Sequence, residues 1–362
     1  MEIKTSVDEE SKNSISTNEP VVNEIKKPTS EKIEWIVVLR AFACMAVVML
    51  HIITLFESTN LLNKIERVVL DKVILQPFVR FAVPCFIMIS GALMLDPKHN
   101  VTLSKILKKI FKLTLIYFIF GLGINLFNNY KLLWNDSNVK QWLLTSLVDL
   151  SRIFSFFNGR INYFNHMWYV VMLIGLYIIT PILRKFVEYA DKETVIFVLI
   201  FIFATNWIIP NKICLFGFNI LNEYLFVYLL GYFVAKTNLI KELYIYLIGV
   251  IGFIGIFIAC WFDNYYFDFL SFFESILIIK IFSTNKIKIK NNKIINCVSK
   301  YSLGIYLVHP FWILLISKFP YILSPFPMGI GELVFFLYAL IMSLLSSMIL
   351  YRLPLVKKLF KS

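Results

Sequence analysis

The sequence predicts an all-α membrane protein: a polytopic bundle of about ten transmembrane helices with both termini in the cytoplasm. Of its 362 residues, 59% are hydrophobic and 16% are charged, whereas soluble domains contain about 45–50% apolar and about 25% charged residues. Apolar runs of about 20 residues, each long enough to cross a hydrocarbon core of about 30 Å, recur along the chain. Lysines flank these runs and account for the net charge of +13, which indicates membrane topology and argues against a nucleic-acid partner.

By composition the chain divides into three parts. Residues 1–32 are polar and contain too few apolar side chains for a core, so we expect a disordered cytoplasmic tail. They do not form a cleavable signal peptide, because the first apolar run begins only near Ile33. Residues 33–354 form the membrane domain, and residues 355–362 form a short basic cytoplasmic tail.

Within the membrane domain we predict ten spans and one further helical segment. The connection at residues 129–163 contains "LLTSLVDL" and "SRIFSFF", which indicate an interfacial amphipathic helix or a re-entrant piece. The ten predicted spans are residues 33–55, 73–95, 110–128, 164–183, 194–210, 220–235, 242–262, 267–283, 295–317 and 329–350.

The distribution of Lys and Arg predicts the orientation of these spans. If the first tail is cytoplasmic, 24 of the 36 basic residues lie in cytoplasmic segments, 9 lie on the opposite side and 3 fall within spans. Cytoplasmic loops of membrane proteins carry the excess of basic residues. Both termini are therefore predicted inside. The bias toward Ile, Lys, Asn and Phe suits an AT-rich bacterial genome, so we expect the protein in a bacterial cytoplasmic membrane.

The cysteines are scattered through the apolar runs. They contain no C-x-x-C pair, so we predict buried single thiols and neither a disulfide framework nor a metal site. The five residues are Cys44, Cys85, Cys214, Cys260 and Cys297.

Within the first span, the stretch "LRAFACMAVVMLHI" at residues 39–52 contains one arginine and one histidine, Arg40 and His51. Eleven helical residues turn the chain about 20° past three full turns, so both side chains share one face, about 16 Å apart along the axis. Charges within spans are rare and usually face a bundle interior or a wet cavity. The alternative is that Arg40 snorkels to the headgroups while His51 bonds a carbonyl. The shared face favours a polar path through the bundle.

The second span, "QPFVRFAVPCFIMISGALML", adds a second intramembrane cation, Arg80. Pro84, Ser90 and Gly91 would kink this helix and permit close backbone approach, which helix packing also explains. Packing does not explain Arg80.

Two further histidines lie in or beside spans. His166 opens the fourth span with Trp168 and Tyr169, where a plain interfacial anchor is an alternative for all three. His309 lies deep in the ninth span just before Pro310, where helix packing is the alternative. A neutral imidazole accepts a proton from a hydroxyl, so histidine in a wet cavity is a natural general base.

A mid-span carboxylate, Glu274 in "FLSFFESILIIK", is the remaining ionisable group of note. A charge at this depth requires a partner, and an intramembrane cation is the expected one. Lys280, six residues later, lies on a different face of the helix and is not the obvious choice.

These motifs together resemble the acyltransferase 3 family of integral membrane acyltransferases. The features that carry the resemblance are the R-x10-H of the first span and four motifs that follow in the expected order. They are "RFAVPCFIMISGALML", "HMWYVVMLIGLYIITP", "YLLGYFVA" and "YSLGIYLVHP". The resemblance covers nearly the whole chain beyond the first tail. It identifies residues 33–354 as the acyltransferase domain and implies that the Arg–His pair, Arg40 and His51, is essential.

The resemblance implies an O-acyltransferase that moves an acyl group, usually acetyl, from acetyl-CoA to a hydroxyl of a surface polysaccharide or its lipid-linked precursor. No bound cofactor is implied, since acyl-CoA is a co-substrate. His51 would act as general base or carry the acyl group. Arg40, together with the lysine-rich stretches "SKILKKIFK" and "KIKIKNNK", would bind the donor phosphates. Arg80 would help to bind the donor, by polarising the acyl carbonyl or by holding an anionic substrate group. His166, Trp168, Tyr169, Ser90 and His309 would bind the acceptor or serve the structure.

Two other function classes stay open on the sequence. A polysaccharide transporter or flippase would also combine many spans with intramembrane cations, and a structural or sensory membrane protein is the third possibility. Some members of the family carry an extracytoplasmic hydrolase-like domain after the last span, whereas the sequence here ends at "YRLPLVKKLFKS". We therefore expect the chain to act alone, as an oligomer or with a partner protein.

Overall fold

A computed structural model of the protein describes residues 34–58, 69–129, 139–151, 166–208, 223–262, 269–284, 292–319, 327 and 329–360. These ranges contain helices and no strand, which confirms the predicted all-α membrane fold. The predicted tail at residues 1–32, Cys214 and the basic segment at 285–291 lie outside the described residues.

The described ranges contain α-helices that we number in chain order, together with two π-helical turns at Val69–Leu75 and Ala204–Ile208. The α-helices are α1 (Glu34–Ser58), α2 (Ala82–Met94), α3 (Leu103–Asn128), α4 (Val139–Ser151), α5 (Trp168–Tyr189), α6 (Lys192–Phe203), α7 (Glu223–Lys236), α8 (Glu242–Trp261), α9 (Leu270–Ser283), α10 (Lys293–Ser317), α11 (Ile330–Leu350) and α12 (Pro354–Phe360).

Five of the described helices are long and apolar enough to cross a membrane, namely α1, α3, α5, α8 and α11. The others that coincide with predicted spans are shorter or more polar. Helices α2, α7 and α9 have 13 or 14 residues, or about 20 Å of helix against a hydrocarbon core of about 30 Å. The count of ten spans and the cytoplasmic position of both termini stay predictions.

The second predicted span differs most from the structure. The expected single helix at residues 73–95 is divided into the π-helical turn Val69–Leu75, a turn at residues 76–81 and helix α2. Proline lacks a backbone N–H, so Pro77 interrupts the helical hydrogen bonds at the break, whereas Pro84 lies in the first turn of α2, where no bond is lost. Arg80 lies in the turn at residues 76–81, just before α2.

The helical segment expected within residues 129–163 is present as α4, which packs against α3. The indole nitrogen of Trp142 donates to the Leu126 carbonyl at 2.9 Å, and the Asn125 amide donates to the Ser146 carbonyl at 3.3 Å. Three leucines of α4, Leu143, Leu144 and Leu147, are exposed, as expected for a helix that contacts lipid.

Helix α1 lies at the centre of the contacts and packs against α2, α9, α10 and α11. Its buried residues Ala41, Cys44, Val48, Ile52 and Leu55 recur at helical spacing and form one apolar core with side chains of α10 and α11. A second face of α1 meets α2, so this helix can present Arg40 and His51 to the bundle interior.

Two glycines of the quoted motifs allow α2 and α7 to cross at backbone contact. A Cβ atom added to Gly91 would lie 1.9 Å from the Tyr228 carbonyl oxygen, and one added to Gly231 would lie 2.2 Å from the Met88 carbonyl oxygen. No side chain fits in either place. The predicted close approach at Gly91 is therefore confirmed, and its partner is the "YLLGYFVA" motif.

On the predicted cytoplasmic side, Arg184 in the last turns of α5 binds the loop that follows α2. Its guanidinium donates to the backbone carbonyls of Met94 at 2.7 Å, Asp96 at 3.0 Å and His99 at 2.9 Å. The buried Asp96 carboxylate pairs with Lys236 of α7 at 3.3 Å. Helices α2, α5 and α7 are thereby held together below the site described next.

A reporter fusion tests the predicted topology. Because basic residues are concentrated in the predicted cytoplasmic segments, a reporter fused after Ser362 should be active only when it requires the cytoplasm. Activity of a reporter that requires the opposite compartment would contradict the ten-span arrangement, and matched fusions after residues 190 and 238 would locate the error.

Candidate active site

Three histidines from distant parts of the sequence meet in the bundle. The ring centroids of His51 and His309 are 5.0 Å apart, and those of His166 and His309 are 6.3 Å apart. Tyr306 completes the group, with its ring 6.0 Å from that of His309 and 6.1 Å from that of His166. We call these four residues the histidine cluster.

The histidine cluster is built from α1, α10 and the turn before α5. His51 is on α1, and His309 is on α10 one residue before Pro310. His166 lies in the turn that precedes α5, not inside the helix as the predicted boundary at residue 164 had it. The Tyr306 hydroxyl donates to the backbone carbonyl of His166 and so attaches this turn to α10.

The three imidazoles differ in their exposure. His309 is completely buried and His166 is 8% exposed, whereas His51 is partly exposed. Among the described residues, the Nε2 atoms of His166 and His309 have no hydrogen-bond partner. Buried polar atoms are usually satisfied, so two such nitrogens around an accessible imidazole indicate a place for a ligand or for ordered water.

A series of tyrosines connects the histidine cluster to Arg40. The Tyr306 and Tyr169 rings are 5.5 Å apart, and the hydroxyls of Tyr169 and Tyr177 both interact with Ser90. These two tyrosines, with Tyr351, are also electrostatic neighbours of the Arg40 guanidinium. Arg40 therefore faces the bundle interior. We call Tyr306, Tyr169, Tyr177 and Ser90 the tyrosine path; they lie between the two ionisable residues of the first span, and a polar path for substrate stays a prediction.

At the Arg40 end of this path the structure adds a lysine that the sequence did not single out. Lys109 of α3 is partly buried, its Nζ lies 5.9 Å from the centroid of the Tyr177 ring, and Arg40 and Lys112 are the charges that act on it. Both are cations. We call Arg40, Lys109 and Lys112 the cationic cluster.

The stretch "SKILKKIFK" contains Lys109, but the sequence alone does not show which of its four lysines faces the protein interior. Lys105 and Lys108 of the same stretch are exposed, whereas Lys109 and Lys112 are partly buried. Residues three apart share a helix face, but only the packing of α3 against α5 shows which face is inside.

Arg80 lies in a different environment. Its guanidinium donates to the Gln76 side-chain oxygen at 2.9 Å, and it is the charged neighbour of the buried Glu274 carboxyl. The Arg80 charge thus acts on Glu274, whose Oε2 atom has no hydrogen-bond partner among the described residues, while Lys280 pairs with Glu242 of α8 at 3.5 Å. A donor-binding role for Arg80 stays a prediction, and charge compensation of Glu274 is the competing explanation.

The remaining predicted residues divide between the site and its surroundings. Tyr169 and Ser90 lie on the tyrosine path, and His166 and His309 join His51. The centroid of the Trp168 ring lies 5.3 Å from that of Tyr224 on α7, which fits a packing role for Trp168 at the start of α5. The structure thus brings His309 into the site, although its position beside a proline also allowed simple helix packing.

Comparison with known proteins gives one match. Residues 33–352 match the model of a protein family that is described as an acyltransferase domain. No curated protein and no solved structure matches the chain.

Proposed function

Because the chain belongs to the acyltransferase 3 family, a family of membrane acyltransferases, we propose that it transfers an acetyl group from cytoplasmic acetyl-CoA to a hydroxyl of a bacterial surface polysaccharide or its lipid-linked precursor. The observation that supports this most is the tyrosine path between two chemically different ends. A cationic cluster lies at one end of α1 and a histidine cluster at the other, with the interior tyrosines between them.

The cationic cluster suits the phosphate groups of CoA. Arg40 of α1 and Lys112 of α3 both act on Lys109, and like charges brought together in a partly buried place favour an anionic ligand. The guanidinium of Arg40 offers a planar fork for phosphate oxygens, and the two ammonium groups add further donors. The donor would bind here from the cytoplasm.

The histidine cluster suits the transfer step. Arg40 and His51 are about 16 Å apart along the helix axis, and the flexible pantetheine arm of CoA would follow the tyrosine path over this distance. The acceptor would arrive from the opposite side. His51 would remove the proton of the acceptor hydroxyl as its oxygen attacks the thioester carbonyl. The carbon–sulfur bond then breaks, and the same imidazolium returns the proton to the CoA thiolate. An acetyl-imidazole on His51 is the alternative route.

Reconstitution separates this function from the others. Purified protein in vesicles, supplied with labelled acetyl-CoA on one side and an oligosaccharide acceptor on the other, should transfer the label to the acceptor. A transporter or flippase would move glycan without consuming the donor, and a structural protein would do neither. Movement of glycan at an undiminished acetyl-CoA concentration would overturn the proposal.

Replacing Lys109 tests the donor end of the path. We expect Lys109→Gln to raise the KM for acetyl-CoA about tenfold, or about 1.4 kcal/mol, because a charge-assisted bond to phosphate is lost. The KM for the acceptor should not change. The matched control is Lys108→Gln, which removes an exposed lysine from the same helix, where ion pairs contribute little. An equal effect of both substitutions would show general attraction to the membrane surface instead of a donor site.

A further inference from the structure

We propose that His309 is a positioning residue for His51: its Nε2 atom accepts the N–H of the His51 ring and thereby leaves the other His51 nitrogen free to take the acceptor proton. This inference rests on the proposed acyl transfer and assigns a role to a residue that is not itself in contact with substrate. It is carried by the hydrogen bond, the burial and the location of His309.

The hydrogen bonding of His309 defines which of its nitrogens is an acceptor. Nδ1 lies 3.1 Å from the Ile305 carbonyl oxygen. A carbonyl only accepts, so in the neutral ring Nδ1 carries the hydrogen and Nε2 carries the lone pair. Pro310 contributes to this arrangement, because it has no N–H for the carbonyl of Tyr306, the second backbone group with which the His309 ring interacts.

The free lone pair of His309 needs a donor. Nε2 is enclosed and has no hydrogen-bond partner among the described residues, and the imidazole nearest to this ring is that of His51, at a centroid separation of 5.0 Å. At this centroid separation, ring nitrogens that point toward each other are about 3 Å apart, which is a hydrogen-bonding distance. The His166 ring is farther from His309, at 6.3 Å.

Burial divides the roles between the two imidazoles. His309 has no exposed surface, so a hydroxyl group of a carbohydrate cannot reach it. His51 is partly exposed and can meet both the acceptor and the thioester. An enclosed acceptor that holds an accessible histidine in one tautomer corresponds to the third group of a catalytic triad, which orients the base without touching substrate.

Three variants test this assignment in reconstituted vesicles with acetyl-CoA and the acceptor. We expect His309→Leu to lower kcat about a hundredfold with the KM for acetyl-CoA within about twofold, because general-base catalysis contributes about 10²–10⁴. His309→Gln should keep about a tenth or more of wild-type kcat, since its amide can donate to the Ile305 carbonyl and its oxygen can accept from His51. His99→Gln, in a distant loop, should keep full kcat.

The results that would overturn the proposal are distinct from failure of the proposed function. Wild-type kcat in His309→Leu at wild-type abundance, equal losses in the Leu and Gln variants, or a raised KM with unchanged kcat would each show that His309 only fills space. If the Leu variant is not inserted, His309→Asn, which is too short to reach His51, takes its place with the same expected loss of kcat. A wild-type protein that transfers no acetyl group would overturn the proposed function and this inference with it.

Discussion

Replacing Arg40 by lysine should lower acyl transfer at least about a hundredfold, or about 2.7 kcal/mol, in a protein that is inserted at normal abundance. Lysine keeps the positive charge but loses the planar fork that binds phosphate or carboxylate oxygens with two hydrogen bonds. Because the Arg40 guanidinium lies among interior tyrosines and beside Lys109, a point charge cannot reproduce its geometry. The measurement is initial-rate acyl transfer in vesicles, normalised to protein amount.

Replacing His51, which lies on the same helix face as Arg40, should lower the rate of acyl transfer still further. We expect near-zero turnover in His51→Ala, and no rescue in His51→Gln, because an amide forms hydrogen bonds like an imidazole but cannot take up a proton at neutral pH. Full activity of His51→Gln at wild-type abundance would contradict the catalytic assignment and leave His51 as a structural hydrogen-bonding residue.

A snorkelling arginine makes the opposite prediction, which provides the control. If Arg40 only reached the headgroups, Arg40→Gln would cost little activity, because it removes a charge that is expensive in lipid. Near-normal turnover in both Arg40→Gln and Arg40→Lys would therefore exclude the donor site at the cationic cluster. Loss in both variants supports it.

A methyl group added at the crossing of α2 and α7 should destabilise the protein by about 3 kcal/mol in either of two places. In Gly91→Ala the new Cβ would meet the Tyr228 carbonyl oxygen, and in Gly231→Ala it would meet the Met88 carbonyl oxygen, both far below contact distance. The obstacle is helix backbone, which cannot rotate away, so the two helices must separate. The better helix propensity of alanine returns only about 1 kcal/mol.

Two other glycines provide matched controls for this prediction. A Cβ atom at Gly123 on α3 or at Gly175 on α5 would meet nothing within 4 Å, so Gly123→Ala and Gly175→Ala should be neutral or slightly stabilising. Abundance in the membrane and the thermal midpoint in detergent would be compared for all four variants. A midpoint for Gly231→Ala equal to that of Gly175→Ala would contradict the close crossing.

The all-α membrane fold and the pair formed by Arg40 and His51 could be predicted from the sequence. Hydropathy is a local property, and so is the face of a helix on which a residue lies. Arg40 and His51 are therefore recognised as one pair on one face of α1 without knowledge of any neighbour. The crossing at Gly91 was predicted for the same reason, because a small residue in an apolar helix permits close approach whatever the partner.

Helix boundaries could be predicted less well where local signals conflict. The apolar run at residues 73–95 indicated one helix, but Pro77 interrupts it, with a π-helical turn before this residue and α2 after it. The turn that contains His166 lies before α5, because its backbone carbonyl bonds the Tyr306 hydroxyl of α10. Such contacts between remote segments override a local apolar pattern.

What only the tertiary structure decided is which remote residues meet. His166 and His309 join His51 although the three residues lie in separate parts of the chain. Lys109 rather than Lys108 lies near Arg40, and Arg80 rather than Lys280 is the cation that acts on Glu274. Each of these outcomes depends on which faces of two helices pack together and at what height, and that is determined by the fit of apolar side chains and glycines between helices. Helical periodicity places a side chain on a face, but only packing determines what that face contacts.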